Sequence, residues 1–552
     1  MGSDVVLSLE RRGLRRRGVP LVTLLVLAAV LLILWAIPPD SFDRGMRGLI
    51  GFIACAVAGI VILGWFFGLA GVSRRTRAVC GMALVLLTVG GVSSVRRVEF
   101  SGDMVPTFDF RWQESRESRL ESYLESDARD PLPIELEAAR PLPRIRPEDS
   151  PQYRGQHGDG VVQGPALARQ WETQPPKCLW RHPCGGGYGS FAVVGDMAVT
   201  IEQRGDNEVI VCYDVLSGRQ HWTYSYPALF SERLGGDGPR ATPTIHQGRV
   251  YSLGATGDLL KLDLAAGYLI WKVNILALNG CGNLEWAMSG SPLVYDGRVV
   301  VNPGTQHGTE ASADFLSLDA DKGDILVRGG KAKASYASPM LVTLAGKEQI
   351  LIFDAAGLAS FDPEEGSELW RVPWTSDFDI NAAQPVILDD RHLVFSSQAG
   401  CALLELEVAD GLCTVNEKWR NRLMKCSYAN PVVREGYLYG LDEGILACVD
   451  LADGKRKWKN GRYGHGQLLL ANDLLVILSE KGELLLVEAT PERFAELAKI
   501  QAIEGKTWNN PVLVGGRALV RNHLEMACYE LPLADPTVPR DAPVPEDADG
   551  VE

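Results

Sequence analysis

The sequence predicts an all-β fold, an eight-bladed β-propeller, preceded by an N-terminal membrane domain of about three transmembrane helices. Three observations carry this. Uncharged runs fill most of the first hundred residues, an Asp-x3-Gly-x3-Trp pattern recurs downstream, and the repeats begin at positions 191, 243, 292, 339, 385, 431, 467 and 511. Steps of that size correspond to one four-stranded blade. At 552 residues the chain exceeds one ordinary compact domain unless the fold is a large repeat. Its 46% hydrophobic and 22% charged residues exclude a disordered chain. Asp plus Glu number 69 against 55 Lys plus Arg, a net charge of -14, which argues against a nucleic-acid partner.

Residues 1–18 are a basic terminus, with Arg11, Arg12, Arg15, Arg16 and Arg17. The transmembrane region, 19–97, contains spans at about 20–37, 48–72 and 78–95. At about 1.5 Å per residue, 18 helical residues cover roughly 27 Å, close to the hydrocarbon thickness. A cleaved signal peptide is the alternative for the first run, but no small-x-small site follows Trp35 and two further runs come after it. Arg74, Arg75 and Arg77 lie between the second and third spans. The positive-inside rule then places the N-terminus in the cytoplasm and everything after residue 96 outside, with Arg96 and Arg97 as a mild counter-signal. Residues 98–150 form a charged linker with Pro131, Pro133, Pro141, Pro143 and Pro147 and one helical stretch near Glu114 to Glu125. Such a composition suits a spacer rather than a core.

Residues 151–531 repeat. The pattern is Asp214, Gly218, Trp222, then Asp263, Gly267, Trp271, then Asp362, Gly366, Trp370 and Asp450, Gly454, Trp458. A degraded copy places Val327 in the Trp position, and a stretched copy ends in Trp419. Upstream of each, a small or polar residue and usually Pro lead into an alternating strand; Phe191 and Gln467 replace Pro in variant copies. Pro lacks a donor and suits a strand start, Asp and Gly suit the turn between third and fourth strands, and Trp can wedge between blades. The last copy is one strand short. Leu179 to Cys184, with Trp180 but no strands before it, is expected to complete that blade and close the ring. Residues 532–552 read as a disordered tail.

These blades, with the lead-in PQYRGQHGDGV at Pro151 to Val161, resemble the PQQ-binding-like β-propeller repeat proteins. That group includes quinoprotein alcohol dehydrogenases and the outer-membrane assembly lipoprotein propeller. The resemblance implies two functions: a membrane-anchored extracytoplasmic scaffold for envelope protein assembly, or a dehydrogenase using PQQ with Ca²⁺. It also implies a bacterial inner membrane, a periplasmic propeller and an envelope protein partner. The dehydrogenases carry an adjacent Cys pair over the quinone, and this chain has none; nor has it a Cys-x-x-Cys-His haem motif. No calcium-ligand or general-base residue can be matched to the family's set, so no catalytic or metal residue is assigned and the scaffold is the preferred reading.

The funnel offers candidates. Three residues before each repeat start stand Tyr188, Arg240, Tyr336, Tyr428 and Trp508; one before stand Asn430 and Asn510. Aromatics, an Arg and amides converging on an axis can stack a planar acceptor or grip a peptide. Alternatively they cap the channel and satisfy strand-end groups, the usual role of repeat positions at strand starts. Glu285 and Asp379 are the best acid or base positions near the funnel. The eight His are scattered without ligand spacing. Cys212, Cys448 and Cys528, two residues before the repeat Asp or its equivalent Glu530, read as buried strand cysteines.

Overall fold

A computed structural model describes residues 3–36, 44–68, 72–126, 144–232, 234–305, 313–409 and 412–534. Most of the expected C-terminal tail, from residue 535 on, lies outside the described residues. The chain divides into two units, 1–115 with 233–235, and the remainder.

In the first unit, three helices (Ser3–Ala36, Arg44–Gly68 and Arg74–Ser94) contain segments long and apolar enough to cross a membrane: Gly18–Ala36, Arg47–Gly68 and Arg74–Ser94. The last helix runs directly into a hairpin, Val95–Phe100 against Pro106–Phe110, within what the composition suggests is linker. The rings of Phe110 and Trp112 stack at 4.4 Å on this hairpin.

In the second unit, eight blades form among the described residues. Blades 1 to 7 occupy residues 192–227, 244–274, 293–329, 340–373, 386–421, 432–462 and 467–501, each as a four-stranded antiparallel meander, with Val161–Val162 adding a fifth, parallel strand to blade 7. Blade 8 takes three strands from 512–530 and its outermost from Lys177–Pro183, which pairs with Glu525–Glu530 through Cys528↔Trp180. The ring therefore closes through the early strand, as expected.

One register feature explains the repeat. In every blade the pairing of the third and fourth strands slips one residue just after the position two before the repeat Asp or Glu, as at Cys212/Tyr213 and Lys261/Leu262. That position faces the repeat Trp across the strands, so Cys212, Cys448 and Cys528 lie opposite Trp222, Trp458 and Trp180. All three cysteines are buried. Most of the repeat Trp then reach the next blade. Trp222 donates Nε1–H to Leu264 O (2.8 Å), Trp271 to Ala320 O (3.0 Å), Trp419 to Leu451 O (2.8 Å) and Trp180 to Val215 O (2.9 Å).

The same indoles cover the neighbouring glycine turn. A Cβ on Gly267 would stand 2.5 Å from Trp222, and one on Gly454 2.8 Å from Trp419. The repeat Gly is thus required twice over, for its positive φ and for the ring above it. Burying roughly 200 Å² of indole at about 25 cal/mol/Å² is worth at most about 5 kcal/mol per boundary. Trp370 departs from the rule and donates to Gln349 Oε1 in its own blade. The neighbouring blade 5 carries the stretched copy, two ten-residue strands, in place of the tight turn.

Part of the charged 98–150 stretch is folded. Helix Arg116–Glu125 buries Leu120, its Tyr123 ring stacks on His182 at 4.7 Å, and Arg116 pairs with Asp237. One apolar residue, one ring and one ion pair suffice to seat a helix too polar to form a core. Residues 127–143 lie outside the described residues.

Candidate functional site

The residues one before each repeat start form a hydrogen-bonded circuit between blades. The N–H of Ser190 donates to Thr242 Oγ1 (2.9 Å), that of Thr242 to Ser291 Oγ (2.9 Å), and that of Ser291 to Ser338 Oγ (2.9 Å). Ser338 N–H donates to Gln384 Oε1 (2.8 Å), and Gln384 N–H to Asn430 Oδ1 (2.7 Å). Each side chain satisfies an N–H of the preceding blade, which explains why small hydroxyls and amides recur there.

The circuit breaks at blade 7. A Cβ on Gly466 would lie 2.4 Å from Leu478 O, so that position carries no side chain. Tyr153 substitutes for it: its hydroxyl oxygen accepts from Asn430 Nδ2 (2.8 Å) and Asn510 Nδ2 (3.2 Å). Ser190 Oγ–H donates to Asn510 O at 2.6 Å and completes the ring. Both candidate amides, Asn430 and Asn510, are therefore buried in this circuit.

Tyr153 belongs to the lead-in, whose residues 150–162 touch the start or body of the innermost strands of five blades. Ser150 bridges Val193 of blade 1, Pro151 O accepts from Ile245 N–H of blade 2 (2.7 Å), and Arg154 donates to Pro431 O of blade 6 (2.9 Å). Tyr153 reaches blades 6 and 8, and Val161–Val162 pairs in parallel with Gln467–Ala471 of blade 7. Innermost strands line the central channel, so this segment lies across it. From the sequence it is legible only as part of a family resemblance.

Above the ring, Tyr188, Tyr428 and Trp508 come together. Trp508 lies 5.5 Å from Tyr188 and 5.7 Å from Tyr428. His465 packs 5.0 Å from Tyr428 and His523 6.1 Å from Tyr188. Lys506 Nζ stands 4.4 Å from the Trp508 centroid and 5.6 Å from that of Tyr188, and the Arg240 guanidinium 5.7 Å from Tyr188 and 4.7 Å from Phe230. Glu480 holds Trp508 through Nε1–H···Oε1 at 3.0 Å and accepts His465 N–H at 3.2 Å. Burial lowers the Arg240 pKa, opposed by nearby Tyr188, Glu232 and Asp237. The sequence reading misses His465, His523 and Lys506; the spacing Lys506-x-Trp508 is the signal that could have flagged the last.

Tyr336 stands with Trp286 (5.9 Å), itself packed on Phe378 (6.2 Å), as a separate group. Glu285 and Asp379 are exposed. Among the described residues no three His, Cys, Asp or Glu stand together as a metal cluster, and the Nδ2 groups of Asn430 and Asn510 are engaged by Tyr153.

The family model described as outer membrane protein assembly factor BamB matches residues 161–285 and 205–460, together more than half of the chain. No curated protein matches it. Among solved structures, it is similar to the quinohemoprotein alcohol dehydrogenase of Comamonas testosteroni: 12% identity over 72% of this chain and 81% of that one, TM-score 0.50. It is similar also to the quinohemoprotein alcohol dehydrogenase ADHIIG of Pseudomonas putida HK5, at 12% identity over 74% and 85%, TM-score 0.52. BamB of Moraxella catarrhalis is matched at 14% identity over 64% of this chain and 100% of that one, TM-score 0.47. These likenesses concern the fold. With eight repeat blades, a closing early strand and the matched residues 161–460, the chain belongs to the family described as outer membrane protein assembly factor BamB.

Proposed function

We propose that the protein is a membrane-anchored, extracytoplasmic binding scaffold in envelope protein assembly, receiving a segment of a partner protein over the mouth of the propeller. The observation that carries this reading is the aromatic and cationic floor of Tyr188, Tyr428, Trp508, Lys506 and Arg240, laid over a channel crossed by its own lead-in. Rigid aromatics with cations above them hold an extended segment at low entropic cost. The Nδ2 groups of Asn430 and Asn510 are spent on Tyr153. The three apolar helices support the anchor. The arginine distribution supports a cytoplasmic N-terminus and a periplasmic propeller at the bacterial inner membrane.

The rival reading is a PQQ-dependent alcohol or sugar dehydrogenase, favoured by the fold it shares with quinohemoprotein dehydrogenases. A photo-crosslinking residue at Tyr428 in full-length protein in its membrane is expected to capture one discrete envelope protein. The same residue at Leu326, exposed on the outermost strand of blade 3, should not. Quinone titration of the purified chain with and without Ca²⁺, followed by tryptophan quenching, tests the rival. Tight Ca²⁺-dependent binding with dye reduction by alcohols or sugars would overturn the scaffold reading.

A further inference from the structure

Within the segment that crosses the channel, the Arg154 side chain is only 4% exposed. Its Nη2 donates to the carbonyls of Pro431 (2.9 Å) and Asp159 (3.0 Å), while Nε and Nη1 have no partner. Asp159 turns its carboxylate onto the N–H of Val161 at 2.9 Å, hydrogen-bonding Arg154 only through its carbonyl, although its charge still attracts the guanidinium through space. The Cys426 thiol, also nearby, is held neutral because burial pushes its pKa up to about 12, so it supplies no counter-charge. A guanidinium does not deprotonate in proteins, and buried charged donors left without hydrogen-bond partners are strongly unfavourable.

The local backbone is committed to placing this cation. A Cβ on Gly160 would fall 2.2 Å from Arg154 Nη2, so only glycine makes room for the guanidinium. Arg154 itself adopts a left-handed φ of 63°, uncommon and strained for a long side chain. We propose that the channel holds a small monovalent anion, of halide or formate size, on Nε and Nη1 of Arg154.

The test uses the full chain in detergent. Crystals grown in sodium bromide are expected to show an anomalous peak within hydrogen-bonding reach of Nε and Nη1. Thermal unfolding at fixed ionic strength should shift upward by a few degrees when gluconate is replaced by chloride, bromide or formate at about a hundred times their Kd. In Arg154→Met that anion dependence should vanish, whatever the variant's own melting temperature. Water alone at the guanidinium, with unfolding indifferent to the anion in the native chain, would overturn the proposal. Formate acting where halides do not would assign the site to carboxylates.

Discussion

Tyr153→Phe removes a single oxygen and tests whether the blade-to-blade circuit is mechanically closed by the lead-in. In the native chain that oxygen accepts two amide N–H groups, from Asn430 at 2.8 Å and Asn510 at 3.2 Å. Asn430 is 0% exposed and Asn510 6%, so neither donor regains bulk water. A buried donor left unsatisfied costs about 1–3 kcal/mol. The longer bond loses less, and Tyr153 is only half-buried, so one water can follow. A total of about 2 kcal/mol is expected, lowering Tm by roughly 2–3 °C for a propeller of this size. The assay is thermal unfolding of the full chain by intrinsic fluorescence, with Ser291→Ala as the internal standard. That variant orphans only the N–H of Thr242 and should cost about 1–2 kcal/mol. A Tm change under 1 °C for Tyr153→Phe, with Ser291→Ala destabilised as expected, would show that the circuit closes without the lead-in.

Two further outcomes follow from the packing and the buried charges. Gly267→Ala places a Cβ into the Trp222 indole at a φ of 73°, and should destabilise by about 2 kcal/mol or more in denaturant titration. Asp314, buried beside Asp354 at the boundary of blades 3 and 4, has its pKa raised by desolvation and by that second carboxylate from 3.8 to about 7. A raised acid pKa favours the protonated folded state, so this group's support is complete below about pH 4 and is lost as pH rises through 7. Asp314→Asn should therefore flatten the pH dependence of stability between pH 4 and 7, read by unfolding midpoints across that range.

The blade count, the closing strand and the wedge role of Trp are legible in the sequence because each is local: a turn, a strand start, a period. The site is less so, for geometric reasons. Tyr188, Trp508 and Tyr428 come from blades 1, 8 and 6, and the last two meet because blade 7 places Gly464 and Gly466 where other blades carry side chains. Tyr336 leads into blade 4, opposite blade 8 on an eightfold ring, and joins Trp286 instead. Repeat position alone assigns these residues one environment, whereas ring order separates them. The circuit through Asn430 and Asn510 depends on a tyrosine 277 and 357 residues away in sequence, respectively. No periodicity reveals such a partner.

That remoteness also locates the weakest point of the ring. Residues 150–183 supply the missing ring oxygen, the segment across the channel and the outermost strand of blade 8. Among the described residues, only in blade 8 does one of the four meander strands come from the opposite end of the repeat region, the two-residue Val161–Val162 strand being an addition to the complete meander of blade 7; blade 8 can therefore part while the other meanders stay whole. Trp180→Ala and Trp222→Ala each delete an indole and one bond to the next blade, at 2.9 Å and 2.8 Å, and each should cost about 3–5 kcal/mol. Their local consequences differ. In Trp180→Ala, amide exchange should rise selectively across 177–183 and 525–530, because strand Lys177–Pro183 can leave its only partner. In Trp222→Ala the outer strand is held by its short turn to the third, so exchange should stay near its native pattern until the propeller unfolds globally. Equal local exchange at both sites would mean that strand closure adds no separate opening step. The ring would then respond to force and proteolysis as one cooperative body.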